Sequence, residues 1–195
     1  FGGALQKSHS IISLSVSGNQ MDDNTSRMLI HGLIHNNTLT YLDVSCNKIS
    51  CNGLRVLLKG LLEKPNSILS VLNVADNHIQ AEGGRSLGRI LRTNTSLVDL
   101  NIRLNSLGDE GGKMVFEGLH KNSTLTRLNI ASNRLASDAA NALAIALTQD
   151  CCELCVLDLS SNQLCNDDIE NLGIALQNNY TVISLDHRLN NNMDT

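Results

Sequence analysis

The sequence predicts an α/β fold: a right-handed solenoid bent into a horseshoe, with parallel strands on the concave face and helices on the convex face. Three observations predict it. The segment Leu125–Leu135 reads leucine, two variable, leucine, one variable, isoleucine, two variable, asparagine, one variable, leucine. It recurs at Ile11–Met21, Leu39–Ile49, Leu69–Ile79, Leu97–Leu107 and Leu154–Leu164, with a degraded copy from Val182. Its asparagines, Asn19, Asn47, Asn77, Asn105, Asn133, Asn162 and Asn190, stand 28, 30, 28, 28, 29 and 28 residues apart. The stretches between copies carry apolar residues at helical spacing. Register held across a whole chain marks a stacked repeat array, so residues 1–195 are read as one domain, about six full repeats plus a degraded C-terminal one.

The N-terminal stretch Phe1–His9 is read as the end of a helix from an upstream repeat. Leu5 precedes Ile11 by the offset at which Leu33, Leu91, Leu119 and Leu176 precede their strands. With no methionine at Phe1, the chain is expected to be a fragment of a longer one.

Each repeat then brings a strand. In Arg127–Ala131 side chains alternate, with Leu128 and Ile130 inward and Arg127, Asn129 and Ala131 on the concave face. The chain bends at Asn133, where backbone groups lose their strand partners. A carboxamide both donates and accepts, which suits asparagine to that position. Leaving such groups unpaired costs about 1–3 kcal/mol per turn.

Each repeat closes with a helix, of which Asp138–Gln149 is the model. The apolar stripe runs through Met28, Leu29 and Leu33, then Leu57 and Leu61, Leu87 and Leu91, Val115 and Leu119, Leu143 and Leu147, and Leu172 and Leu176. Acidic residues (Asp22, Asp23, Glu82, Asp109, Glu110, Asp138, Asp167, Asp168) fall near helix starts. Basic ones (His35, Lys59, Lys64, Arg92, His120, Lys121) fall near helix ends, which complements the helix dipole. Two repeats are longer, around Pro65 and Cys151–Cys152, in the helix-to-strand loops where insertions cost little. No repeat can bury its leucines and its helix stripe alone; stacking makes one continuous core.

Composition narrows the function. The 195 residues are 42% hydrophobic and only 2% aromatic, as expected of a core built from aliphatic layers. A net charge of −4 gives no general nucleic-acid footprint. No apolar run reaches membrane-spanning length and no signal peptide is visible. The six cysteines follow no repeat-wide spacing and read as reduced thiols of a cytosolic-type compartment. Cys152 and Cys155 form a C-x-x-C, but Cys155 falls at a variable repeat position and no second pair completes a zinc site. No metal or cofactor is expected. The pairs Gly83–Gly84 and Gly111–Gly112 recur at one repeat phase with no lysine–serine or lysine–threonine after them, so they read as close helix packing rather than a phosphate loop. The histidines are scattered, and no catalytic constellation emerges.

Function is therefore expected on the exposed strand face. Its central row is Ser15, Asp43, Asn73, Asn101, Asn129, Asp158 and Asp186. The row towards the strand starts is Ser13, Tyr41, Val71, Asp99, Arg127, Val156 and Ser184. The row towards the turns is Ser17, Ser45, Ala75, Arg103, Ala131, Ser160 and Arg188. The candidate protein-binding residues are Tyr41, Asp43, Asn73, Asp99, Asn101, Arg103, Arg127, Asn129 and Asp158. Tyrosine and arginine are the side chains that anchor interfaces. The competing reading pairs Arg103 with Asp99 or Asp158, merely neutralising the face.

The repeat resembles the ribonuclease-inhibitor type of leucine-rich repeat over essentially the whole chain. That type is shared by ribonuclease inhibitors, Ran GTPase-activating proteins, innate immune receptors and ciliary scaffolds. Narrower is Leu100–Gly112, LNIRLNSLGDEGG, which is similar to a segment of the leucine-rich repeat subunits of the dynein regulatory complex, the t-complex-associated testis-expressed family. Ser184–Asn190, SLDHRLN, also resembles that family's closing strand, with His187 in place of an aliphatic residue. This resemblance implies a non-enzymatic scaffold in the axoneme of motile cilia and flagella, binding other complex subunits and neighbouring axonemal proteins, with neither nucleic acid nor membrane as partner. The alternatives are a GTPase activator of the Ran-activating type, whose long acidic tail is not present before Thr195, and the repeat region of an innate immune sensor.

Overall fold

A computed structural model describes residues 8, 10–63 and 67–190. Apart from Ser8, the expected helix end at Phe1–His9 lies outside the described residues, as do Lys64 and Pro65. Strands and helices alternate: β1 (Ser13–Ser15), α1 (Asp23–Leu33), β2 (Tyr41–Asp43), α2 (Cys51–Leu61), β3 (Val71–Asn73), α3 (Gln80–Leu91), β4 (Asp99–Asn101), α4 (Gly108–Leu119), β5 (Arg127–Asn129), α5 (Ser137–Leu147), β6 (Val156–Asp158), α6 (Asn166–Leu176) and β7 (Ser184–Asp186). The strands form one parallel sheet in sequence order. The expected α/β solenoid is the observed fold.

The register reproduces the expected rows. Tyr41 lies opposite Val71, Val71 opposite Asp99, Asp99 opposite Arg127, and Arg127 opposite Val156. The central leucines of β2–β6 (Leu42, Leu72, Leu100, Leu128, Leu157) are buried, whereas Leu14 and Leu185 in the outer strands are half-buried. Each strand is shorter than expected. The chain leaves β5 at Asn129 because the Asn129 Oδ1 accepts the N–H of Ala131 (3.1 Å), closing a local turn. Ala131, expected on the concave surface, is buried, its single methyl too short to rise above its neighbours.

The turn asparagines do more than the bend requires. Asn133 Nδ2 donates to Ile130 O and Ala131 O in its own repeat and to Ile102 O in the repeat before (3.1, 3.1 and 2.9 Å). Its Oδ1 accepts from Asn105 N–H and Leu107 N–H (3.0 and 3.3 Å). Each amide thus stitches two repeats together. Asn47, Asn77, Asn105 and Asn162 are buried in the same way, while Asn19 is exposed in the first copy. A second asparagine series, invisible in the leucine motif, secures the helix-to-strand turns at Asn36, Asn94, Asn122 and Asn179. Asn122 Oδ1 accepts from Thr124 and Leu125 N–H (3.1 and 2.8 Å) and its Nδ2 donates to Leu91 O (2.7 Å). Its sequence signal is an asparagine three residues before Leu39, Leu97, Leu125 and Val182.

The helix stripe buries as expected up to Leu176, which is half-buried in the last helix, with one correction. Met28 is 72% exposed, because Leu29, Ile30 and Leu33 already define the inward face of α1. Phe116 joins the buried stripe of α4. Helix-start acids act on hydrogen bonds as well as dipoles. Asp22 Oδ1 accepts from Thr25 N–H (2.8 Å). Asp109, in the first turn of α4, reaches the next repeat and accepts from Ala136, Asp138 and Ala139 N–H at the start of α5 (3.0, 3.1 and 2.8 Å).

One glycine of each pair, Gly84 and Gly111, seats α3 against α4 backbone to backbone, and Gly88 and Gly118 continue that seam, while Gly83 and Gly112 face the side chains of Ile79 and Leu135. A Cβ on Gly84 would lie 2.4 Å from Gly111 O, one on Gly88 2.0 Å from Met114 O, and one on Gly118 2.5 Å from Gly88 O. Cys152 is a buried core side chain whose thiol pKa is pushed up by burial. Cys155 is half-buried and donates to Glu153 O (3.3 Å). Cys151 occupies the position of the second asparagine series, its thiol 3.1 Å from His120 O. All six cysteines are free, and no three His, Cys, Asp or Glu among the described residues group as a metal site. No helix among them is long and apolar enough to cross a membrane.

Candidate functional site

All nine candidate residues sit on the sheet face away from the core, and none is buried: Arg103 and Arg127 are exposed, the other seven half-exposed. The strand alternation that buries Leu42, Leu72, Leu100, Leu128 and Leu157 turns them outward together.

The central row has a structural duty as well. Asp43, Asn73, Asn101, Asn129 and Asp158 each accept the backbone N–H two residues on, at 2.9 to 3.1 Å. That pattern explains Asn and Asp in this row: the short side chain ends the strand. Asn129 Nδ2 also donates to Asp158 Oδ2 (3.0 Å), and Asp43 accepts from the Ser45 hydroxyl (2.6 Å). The amide nitrogens of Asn73 and Asn101 have no hydrogen-bond partner among the described residues.

The cations divide. Arg127 Nε meets Asp99 Oδ2 at 2.8 Å, the pair that the β4–β5 register sets side by side. It is Arg127, not Arg103, that neutralises Asp99. Arg103 stands in the row nearest the turns, two residues beyond Asn101, and its guanidinium makes no ion pair among the described residues. Arg188, its counterpart in the last repeat, is forked onto Asp186 (Nε to Oδ1, 2.9 Å), which holds that carboxyl at about 2. Tyr41 is separated from Asp99 by Val71. Its phenol pKa is raised, first by partial burial and then by the Asp43 and Asp99 charges, so it remains a neutral donor at physiological pH.

One neighbour lies outside the candidate set. The residue before each turn asparagine has positive φ: Gly18, Cys46, Asp76, Leu104, Ser132, Ser161 and Leu189. Small or polar residues suit that conformation, and leucine does not, at a cost of about 1–2 kcal/mol. Yet Leu104 (φ +58°) stands 43% exposed beside Arg103. A strained, exposed leucine next to an exposed arginine is a surface feature that neither core nor turn requires. Its sequence signal is an Arg–Leu–Asn triplet that ends on a turn asparagine, at 103–105 and again at 188–190.

A sheet of in-register repeats with this inner face is a leucine-rich repeat, and the chain is a leucine-rich repeat protein. The Leucine Rich repeat family model matches residues 35–58, 66–88, 93–116 and 121–144. No curated protein matches the chain. Among solved structures it is similar to the actin-binding site 2 of leiomodin-1, at TM-score 0.60 and 16% identity over 74% of this chain and 86% of that one. It is also similar to the C-terminal domain of Caenorhabditis elegans tropomodulin, at TM-score 0.57 and 20% identity over 75% and 88%. At these identities the likeness is one of fold.

Proposed function

We propose that the chain is a non-enzymatic protein-binding scaffold, and that it serves as a structural subunit of the dynein regulatory complex in the axoneme of motile cilia and flagella. The scaffold reading rests above all on the concave patch in which Tyr41, Asp99, Arg127 and Arg103 share the outward face of the sheet, with the exposed Leu104 next to Arg103 in sequence. Tyrosine buries a ring while keeping its hydroxyl paired, and a free guanidinium makes forked contacts with a carboxylate. The axonemal assignment rests on Leu100–Gly112 and Ser184–Asn190, which resemble the corresponding family segments. Its partners are other subunits and neighbouring axonemal proteins. The likeness to an actin-binding site of leiomodin-1 supports a second reading, a cytoskeletal scaffold that binds actin.

Tagged full-length chain purified from ciliated cells separates these. Regulatory-complex subunits at near-stoichiometric yield are the expected result. Co-sedimentation with purified actin filaments, with no such subunits recovered, would replace the axonemal reading with the actin one. Clear acceleration of GTP hydrolysis by Ran would overturn the scaffold reading.

A further inference from the structure

The convex face is two surfaces. Each helix ends its core stripe on a leucine: Leu33, Leu61, Leu91, Leu119, Leu147 and Leu176. Six residues before it stand Arg27, Arg55, Arg85, Lys113, Asn141 and Glu170; two residues before it stand His31, Lys59, Arg89, Glu117, Ile145 and Ile174. In α1–α4 these outward columns are polar and mostly basic. In α5 and α6 they become an amide, an acid and two isoleucines. From residue 135 to 187 there is no lysine or arginine, while eight aspartates and glutamates fall in that span.

Ile145 and Ile174 are each 55% exposed, although Leu143, Leu147 and Leu172 already fill the core beneath them. They line a shallow trough between α5 and α6 together with Asn141, Ala144, Asn171 and Ala175. Packed helices place the two anchors about 10 Å apart. The acids of α6, of which Glu170 directly precedes the trough's Asn171, differ from those of earlier repeats. Glu82 and Glu110 pair with Arg85, and Asp138 with Lys113. Asp167 and Glu170 are exposed and pair with no cation among the described residues.

We propose that this trough docks an amphipathic helix of a partner protein, with aliphatic side chains on its inner face and lysine or arginine along its edges. Two exposed isoleucines one repeat apart supply the anchors of helix-in-groove recognition, and the unneutralised acids select the cations. A second copy fits less well: the corresponding positions of α1–α3 set arginine, lysine or histidine, not apolar side chains, at both columns. The site is separate from the concave patch and stands whether or not that patch binds.

The test uses the full chain and a synthetic helical peptide of about 16 residues, leucine on one face and lysine and arginine on the other. Controls are the same residues scrambled and a version with glutamate for the cations. Fluorescence anisotropy is expected to show micromolar binding of the first peptide and at least about tenfold weaker binding of both controls. Ile145→Ser with Ile174→Ser, and separately Glu170→Lys, are expected to weaken it about tenfold, and Arg27→Ala to leave it unchanged. Circular dichroism checks folding; if the serine pair unfolds the chain, the Glu170→Lys and scrambled-peptide results decide. Equal binding of the scrambled peptide, or normal binding by the variants, overturns the proposal. So does absence of peptide binding together with a dimer, seen by sedimentation, that the serine pair dissolves, because the occupant is then a second copy.

Discussion

The repeat at Asn133 and the repeat at Asn190 share a motif and differ in what surrounds it. The Asn133 side chain is fully buried and makes five hydrogen bonds, three of them to the preceding repeat. That of Asn190 is half-exposed and makes three: to Leu159 O, to His187 O and from Leu164 N–H. Leu128 is buried in β5, and its counterpart Leu185 in β7 is only partly covered. The arginines follow the same division. Arg103 in the middle makes no ion pair among the described residues, whereas Arg188 is committed to Asp186. A repeat is thus defined by its neighbours as much as by its own residues.

The largest way to break the contrast is at the glycines. Gly88→Ala drives a methyl into Met114 O and should destabilise the α3–α4 seam by about 3 kcal/mol or more. Gly173→Ala, in α6, meets nothing within 4 Å and should stabilise by about 0.5–1 kcal/mol through helix propensity. Urea denaturation of both distinguishes a seam of backbone contact from ordinary helical glycine. Next comes Asn133→Ala, expected to cost about 2–3 kcal/mol by stranding buried groups in two repeats, with Asn190→Ala below about 1 kcal/mol. Equal losses in denaturation would mean that the stitching between repeats contributes little.

Leu104→Gly is expected to stabilise the fold by about 1 kcal/mol, since glycine accepts φ +58° without strain, and to weaken partner binding. A gain in stability with binding intact would show that Leu104 is only a tolerated turn residue. The smallest effect is electrostatic. With its folded pKa at about 2, below the ordinary 3.8, Asp186 contributes stability that is present above pH 4 and lost as pH falls through 2. Arg188→Ala should return the carboxyl towards its ordinary value in an NMR titration, with little change in stability because the pair is exposed.

The rows of the inner face are legible in the sequence, because a period of two fixes which residues share a side and a constant repeat length fixes the register. The asparagine turns are legible for the same reason. What the motif does not carry is reach. Asn133 bonding back to Ile102 O and Asp109 capping the following helix depend on how repeats stack. Met28 falls outside the core because three neighbouring apolar residues compete for one face. Arg127 rather than Arg103 takes Asp99, since direct cross-strand opposition outweighs proximity along the sequence. Leu104 is visible as a letter, but its strain is a matter of backbone angle.

The concave patch, if it binds the partner, must fail when its anchors are removed. Wild-type chain, Tyr41→Ala with Arg103→Ala, and Arg85→Ala with Lys113→Ala are compared for recovery of the co-purifying complex, after each is shown to be folded. Arg85 and Lys113 are paired with Glu110 and Asp138 across the convex helices, so their loss is expected to leave recovery unchanged. Loss of the concave pair is expected to cost about 2 kcal/mol or more of binding, a reduction of about thirtyfold. Normal recovery with the concave pair removed, and loss with the convex pair removed, would contradict the account.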